Sequence, residues 1–158
     1  MKNSTVHNNF KKAAALLSAA VMIAVLLFAF AACDETLKAE PVSVTLIIGD
    51  KTLTTETREE KVVGLLTELK KAGKISAFEY TGQKWGAFVT EIDALKGDST
   101  QGTYILLYHD IDDSGLHEFG SEGVIKREID GKSYFFSGVG VSLLPVEDGA
   151  TYVFVLES

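Results

Sequence analysis

One cysteine, Cys33, is all the chain has in 158 residues, which excludes an internal disulfide and any metal site built from several cysteines. The fold must therefore be held by its own core. Basic residues are also scarce, 15 against 22 acidic, for a formal net charge of −7. Those present are interspersed with acids, as at Lys70, Lys71 and Lys74 and at Lys126-Arg127. Phosphate backbones are bound by clustered cations, so no nucleic-acid partner is expected. The same balance opposes adsorption to anionic lipid. No repeat or low-complexity tract is present, Ser114-Gly115 is not part of a Gly-x-Ser-x-Gly elbow, and no His-x-x-x-His spacing occurs. The expectation is a protein that is not an enzyme and carries no cofactor.

What the chain does have is a long apolar run at residues 13–32, in which Ser18 is the only polar side chain, preceded by Lys2, Lys11 and Lys12 without an acid. A positive start, an apolar middle and small residues at the end make a secretory signal, oriented with its N-terminus inside. The closing Phe30-Ala31-Ala32-Cys33 resembles a bacterial lipobox, with Phe30 in the place usually held by Leu. That resemblance implies a lipoprotein signal peptide over residues 1–32 and a lipidated Cys33 as the mature N-terminus. The protein would then be anchored on the extracytoplasmic face of a bacterial cell membrane. One acyl chain gives marginal binding, and two or three hold stably. The run also approaches the ~20 residues that span a bilayer, so an uncleaved anchor is an alternative, as is simple secretion. Cleavage would remove three lysines and no acids, leaving twelve basic residues against 22 acidic ones, formally −10. Residues 33–41 read as a tether that holds the domain within roughly 30 Å of the membrane.

Residues 42–158 have the length of one domain. Val42-Ser43-Val44-Thr45-Leu46-Ile47-Ile48 is β-branched and reads as a strand, Gly49-Asp50-Lys51 as a turn, and residues 52–57 as the second arm of a hairpin. Residues 58–74 follow the helical period, with Val62, Val63, Leu65, Leu66 and Leu69 on one face and Gly73 placed as the stop. Such a stripe is ordinary core before it is a partner groove. Further strands are predicted over 77–80, 85–92, 103–108, 132–137 and 151–157, with a turn at 81–84 and a polar connection at 93–102. The segment 103–108, apolar and aromatic on both parities, is expected to be covered on both faces. The fold class is therefore α+β: a β-grasp-like mixed sheet with one main helix packed on it.

The order of these segments resembles the C-terminal domain of the transcobalamin and intrinsic factor family and its uncharacterised bacterial branch. The resemblance is carried by the opening strand, Val62-Val63-Gly64-Leu65-Leu66, Phe78-Glu79-Tyr80, residues 86–92, Gly102-Thr103-Tyr104, and Gly138-Val139 leading to Asp148-Gly149-Ala150-Thr151-Tyr152. In that family the domain covers one face of a corrin, and a separate helical domain supplies the other face and the cobalt-binding histidine. No such helical domain is present, so neither His109 nor His117 takes that role by position. What the resemblance implies is a binding surface for a corrinoid-like or other small planar ligand.

Local constellations are read beside this. Asp110, Asp112 and Ser114 precede Gly115 with calcium-loop spacing, but position twelve is Ser121 and the preceding segment is a strand, so a solvated loop without metal is expected. His109 and His117, with Asp112, Asp113 and Glu118, are residue types a zinc site uses, without its spacing. Aromatics on strands mostly fill cores. Trp85 is the exception, a large aromatic beside Gly86 next to a turn. The expected ligand contacts are Trp85 and Tyr80 with Ser137, Gly138 and Gly140, since glycines let a ligand approach the backbone. The functional expectation is a non-enzymatic binding or accessory lipoprotein; the alternative is a cell-surface interaction or structural module with a protein partner and no small ligand.

Overall fold

A computed structural model describes residues 37–158; Cys33 and the signal segment lie outside the described residues. The chain runs β1 (Leu37–Ile48), β2 (Lys51–Glu59), α1 (Val62–Lys71), β3 (Phe78–Gln83), β4 (Gly86–Ile92), β5 (Leu95–Lys96), β6 (Tyr104–His109), a 3-10 turn (Ser114–Leu116), β7 (Phe119–Gly120), β8 (Gly123–Val124), β9 (Lys126–Ile129), β10 (Lys132–Phe136) and β11 (Thr151–Glu157). Six strands form one mixed sheet in the order β2-β1-β11-β6-β10-β9, β3-β4-β5 form a second and β7-β8 a third. This is an α+β domain with one main helix.

The first hairpin, the helix and the last strand organise the large sheet. Val44, Leu46 and Ile48 alternate onto one face and are buried, and β11 lies parallel to β1 in the register Thr45↔Thr151 to Ile48↔Phe154. The spacing 62, 65, 66, 69 puts Val62, Leu65, Leu66 and Leu69 on one side of α1, and all four are buried with Val44, Leu46, Tyr152 and Phe154. Each fully buried Leu of this kind contributes roughly 1.5–3 kcal/mol. Thr55 and Thr57 of β2 also face the helix side, and their hydroxyls are matched by Lys74 Nζ at 3.0 Å and Glu68 Oε2 at 2.8 Å.

Both helix ends are satisfied by backbone. No side chain caps the start; instead Val62 N–H donates to Leu144 O and Val63 N–H to Val141 O, at 3.1 and 2.9 Å. At the other end Lys74 N–H donates to Leu69 O and Gly73 N–H to Lys70 O, a Schellman arrangement that needs the positive φ of Gly73, 68°. The predicted start at Arg58 is corrected: Arg58 and Glu59 finish β2, because β1 is long enough to keep them paired. Leu37 to Pro41, read as tether, likewise belong to β1; Leu37 pairs with Glu59, and Lys38 Nζ donates to the Val146 carbonyl.

The small sheet covers the rest of the main core with Phe78, Ala87, Val89 and Ile92. Its hairpin tip is Lys84-Trp85, since β3 extends to Gln83 and Gly86 opens β4 with φ 105°. Trp85 therefore sits in the turn itself, not at the start of a strand. In β6, Leu107 and Tyr108 are buried on opposite faces, whereas Tyr104 is exposed. Double cover thus holds only for the C-terminal half of that strand. The short strands β7, β8 and β9 were not expected, being two to four residues long and charged or glycine-bearing.

Candidate functional site

A groove of about 410 Å³ opens between β4 and β6. Its cause lies in how one segment changes partners. β10 pairs with β6 only at Phe135↔His109 and Phe136↔Tyr108, and Ser137 N–H adds one more bond to Leu107 O at 2.9 Å. The chain then leaves β6 and crosses to β4, where Gly140 N–H donates to Trp85 O and Val141 N–H to Ala87 O, both 2.8 Å. Ala87 N–H donates to Ser142 Oγ at 2.8 Å. The N-terminal half of β6 has no β10 partner, and the space between it and β4 is the groove.

Its walls are aromatic and aliphatic. Phe88, 40% exposed, stands on β4 and Tyr104, 53% exposed, on β6, and Ile105 and Val139 also line the groove. Hydroxyls come from Thr81, Thr90, Ser99 and Thr103, and among the described residues no charged side chain lines the groove. An uncharged, mainly apolar concavity with a few hydroxyls suits a neutral ligand with a flat face and a hydrogen-bonding edge.

The five expected contact residues divide. Ser137 and Gly140 line the groove. Trp85 and Tyr80 do not line it, although both are on the surface, 60% and 50% exposed; Lys84 Nζ lies 5.0 Å from the Trp85 ring centre, and the Tyr80 ring lies 5.3 Å from Phe78. Gly138, partly buried, is packed against His117: a Cβ there would stand 2.7 Å from His117 O. At Gly140 a Cβ would fall on the Ala87 backbone, 2.7 Å from its nitrogen. These glycines let two chains cross closely, and the space they leave is taken by protein, not by ligand. Phe88 and Tyr104 were not singled out as contacts. Phe88 was legible only as the middle of a strand, and nothing in sequence says which face of β4 a neighbouring sheet leaves open.

The acidic loop is built differently from a cation cradle. Asp110 Oδ1 accepts from Thr151 N–H and Oδ2 from Lys132 Nζ, both 2.7 Å. Burial works to raise the Asp110 pKa, but Lys132 and Thr151 outweigh it and hold the carboxyl below its ordinary value. Asp113 accepts from Gly115 N–H at 2.9 Å and caps the 3-10 turn, while Asp112 and Ser114 are exposed. Among the described residues no three His, Cys, Asp or Glu side chains are placed to share a metal ion.

His109 and His117 pack together beneath this loop, ring centres 5.5 Å apart, with His117 stacked on Phe135 at 3.9 Å. His117 Nε2 donates to Ile111 O at 2.9 Å and His109 Nε2 to Leu116 O at 3.4 Å. Burial pushes the His109 pKa below its ordinary value, and its Nδ1 is buried without a partner.

No family model matches the chain, and no curated protein matches it. Among solved structures it is similar to a candidate metal-binding protein from Ruminococcus gnavus ATCC 29149, with 16% identity and a TM-score of 0.46, over 75% of this chain and 97% of that one. It is also similar to haptocorrin in complex with Cbi, with 15% identity and a TM-score of 0.48, over 73% of this chain. The match spans 25% of the haptocorrin chain.

Proposed function

We propose that the protein is a membrane-anchored extracytoplasmic lipoprotein whose domain binds a small planar ligand in the groove between β4 and β6 and catalyses no reaction. The observation that carries the binding reading is the groove itself: about 410 Å³, uncharged, with Phe88 and Tyr104 standing free on facing strands. Ligand pockets commonly run ~300–1,000 Å³ and are lined by apolar and aromatic groups with few polar ones. A corrinoid is the first ligand to test, because residues 42–157 resemble the transcobalamin and intrinsic factor C-terminal domain in the order of their segments. With its side chains a corrinoid exceeds the groove, so only one edge of the ring would enter and affinity would be modest.

Calorimetric titration of the full chain with a cobalamin tests this. Saturable heat is expected, weakened several-fold to about tenfold by Phe88→Ala or Tyr104→Ala, since an aromatic contact contributes ~0.5–1.5 kcal/mol beyond its area. Trp85→Ala should leave it within about twofold. Absence of heat up to millimolar cobalamin removes the corrinoid reading. Anchoring through Cys33 is tested by mass spectrometry of the native protein; an intact Met1 with a free Cys33 thiol ends it.

The second reading, a surface interaction module with a protein partner, is favoured by Trp85 and Tyr80, two aromatics more than half or half exposed on one hairpin. Loss of a partner contact on Trp85→Ala, with Phe88→Ala silent, would select it.

A further inference from the structure

The two buried histidines lie where the acidic loop meets the groove wall. His109 sits on the core face of β6, between its register partners Phe135 of β10 and Tyr152 of β11, and is fully buried. Its Nε2 faces the Leu116 carbonyl, which has no proton to give, so Nε2 carries the hydrogen and Nδ1 is the bare lone pair. That Nδ1 has no partner. The Leu116 carbonyl also accepts from Gly138 N–H at 2.8 Å. His117, its ring against His109, pairs with Ser137 as an isolated bridge. One carbonyl therefore joins a buried histidine to the segment that makes the groove.

We propose that His109 and His117 form an acid-released latch, which holds residues 110–118 on the sheet and the groove wall at 137–140 in place, and which opens below neutral pH to favour ligand release. The ligand part rests on the binding reading above. A proton arriving at Nδ1 creates a buried cation; the Leu116 and Ile111 backbone favour that charged form, but burial opposes it more strongly, and a buried charge so poorly compensated is expelled or hydrated instead of being kept. The surroundings do not rescue it. The Phe135 ring is uncharged and is itself covered by Lys126 Nζ at 4.7 Å, and burial keeps the Tyr152 hydroxyl neutral by raising its pKa. His117 adds repulsion to a charged His109, whereas Asp110 favours the charged form less than burial opposes it; the Asp110 oxygens are engaged by Lys132 and Thr151. Between the buried Ile111 and His117 the loop faces solvent from Asp112 to Gly115. Since the folded pKa is depressed, the latch is fully closed above ~6.5 and is lost as pH falls through the lower, folded value.

Amide hydrogen exchange on the full chain, corrected for intrinsic rates, tests this without any ligand. Protection at Ser137 and Gly138 should fall by clearly more than about twofold between pH 7.5 and 5 in the wild type, because the proton is taken up more readily by the opened loop than by the closed one. In His109→Gln, which keeps a donor for Leu116 O and cannot titrate, it should change less than about twofold. Should that variant fold poorly, the wild-type histidine side-chain spectrum decides: His109 and the Gly138 amide should titrate with one midpoint, and different midpoints overturn the latch. Undiminished protection at pH 5 does the same. Cobalamin affinity is then compared at the two pH values. Equal affinity on an opened loop overturns the coupling to the groove, whereas no binding at either pH removes the binding reading and leaves the exchange result standing.

Discussion

Leu46 and Ile47 are consecutive on β1 and face opposite sides of the six-stranded sheet. Leu46 is fully buried beneath α1 with Phe154 and Tyr152; Ile47 is half-buried, beside Val153 and in a smaller cluster with Tyr108 and Tyr134. Among the described residues one face is thus closed by a helix and a second sheet, and the other is covered only by side chains leaning across their own strands, including the pair Arg127–Glu157. The residues are equally apolar. Burial at adjacent positions is therefore decided by what the connections between strands lay over them: β2 leads to α1, and α1 leads to β3 and β4, all on the Leu46 side.

The sharpest way to break this comparison is a pair of truncations read by urea unfolding. Leu46→Ala should cost ~2–5 kcal/mol, transfer plus a cavity that packed neighbours cannot fill. Ile47→Ala should cost clearly less, under about 2 kcal/mol, because solvent reaches its site and no sealed cavity is left. Equal losses would mean that the second face is covered as firmly as the first.

A smaller effect is expected where the covering chains cross. Gly140→Ala pushes a methyl into the Ala87 backbone and should cost about 1–3 kcal/mol by forcing the two chains apart. Gly82→Ala, where a Cβ meets nothing within 4 Å, should be neutral or slightly stabilising. Thermal melting of the two variants separates a glycine used for close approach from one that is not. If Gly140→Ala were silent, the wall of the groove would be looser than its hydrogen bonds to Trp85 and Ala87 imply.

The smallest effects should come from the polar ties at the rims. Asp93 accepts from Lys51 Nζ at 2.6 Å and from the Ser76 N–H and hydroxyl at 3.0 and 2.8 Å, and Lys51 also reaches Lys74 O at 2.9 Å. One side chain thereby ties the first hairpin to the helix end and the small sheet. The Lys51 hydrogen bond, then those of Ser76, hold the Asp93 carboxyl at about 2 against an ordinary 3.8. Its folded pKa is depressed, so its contribution is complete above 3.8 and lost as pH falls through about 2. Asp93→Asn should flatten that part of the acid profile and cost about 1 kcal/mol at neutral pH. Glu157→Gln on the open face should cost less, within the ~0–1 kcal/mol of exposed pairs.

Much of the covered face was legible because it repeats. The positions 62, 65, 66 and 69 keep helical spacing, Gly73 stops the helix where a left-handed residue is needed, and residues 151–157 form a strand with the predicted bounds. Ser137 and Gly140 line the groove, but the reason for reading glycine as a contact does not hold. Glycine was read as room for a ligand, whereas at 138 and 140 it is room for the backbone of His117 and Ala87. The strands β7 to β9 are not legible in the sequence because two to four residues, glycine-bearing in β7 and β8 and charged in β9, carry no period.

By itself the sequence determined the class of the domain and the type of its main elements, because the period of apolar residues is a local property that each strand and helix carries whether or not it is packed. It also determined that no internal disulfide staples the core. Only the tertiary structure decided that residues 137–141 cross from β6 to β4 and leave a groove beside Phe88 and Tyr104, that Trp85 stands at a tip apart from it, and that His109 is sealed against a carbonyl it shares with Gly138. Each depends on contacts between residues tens of positions apart, and the free energy that selects them comes from burial and hydrogen bonding across those gaps, which no local pattern records.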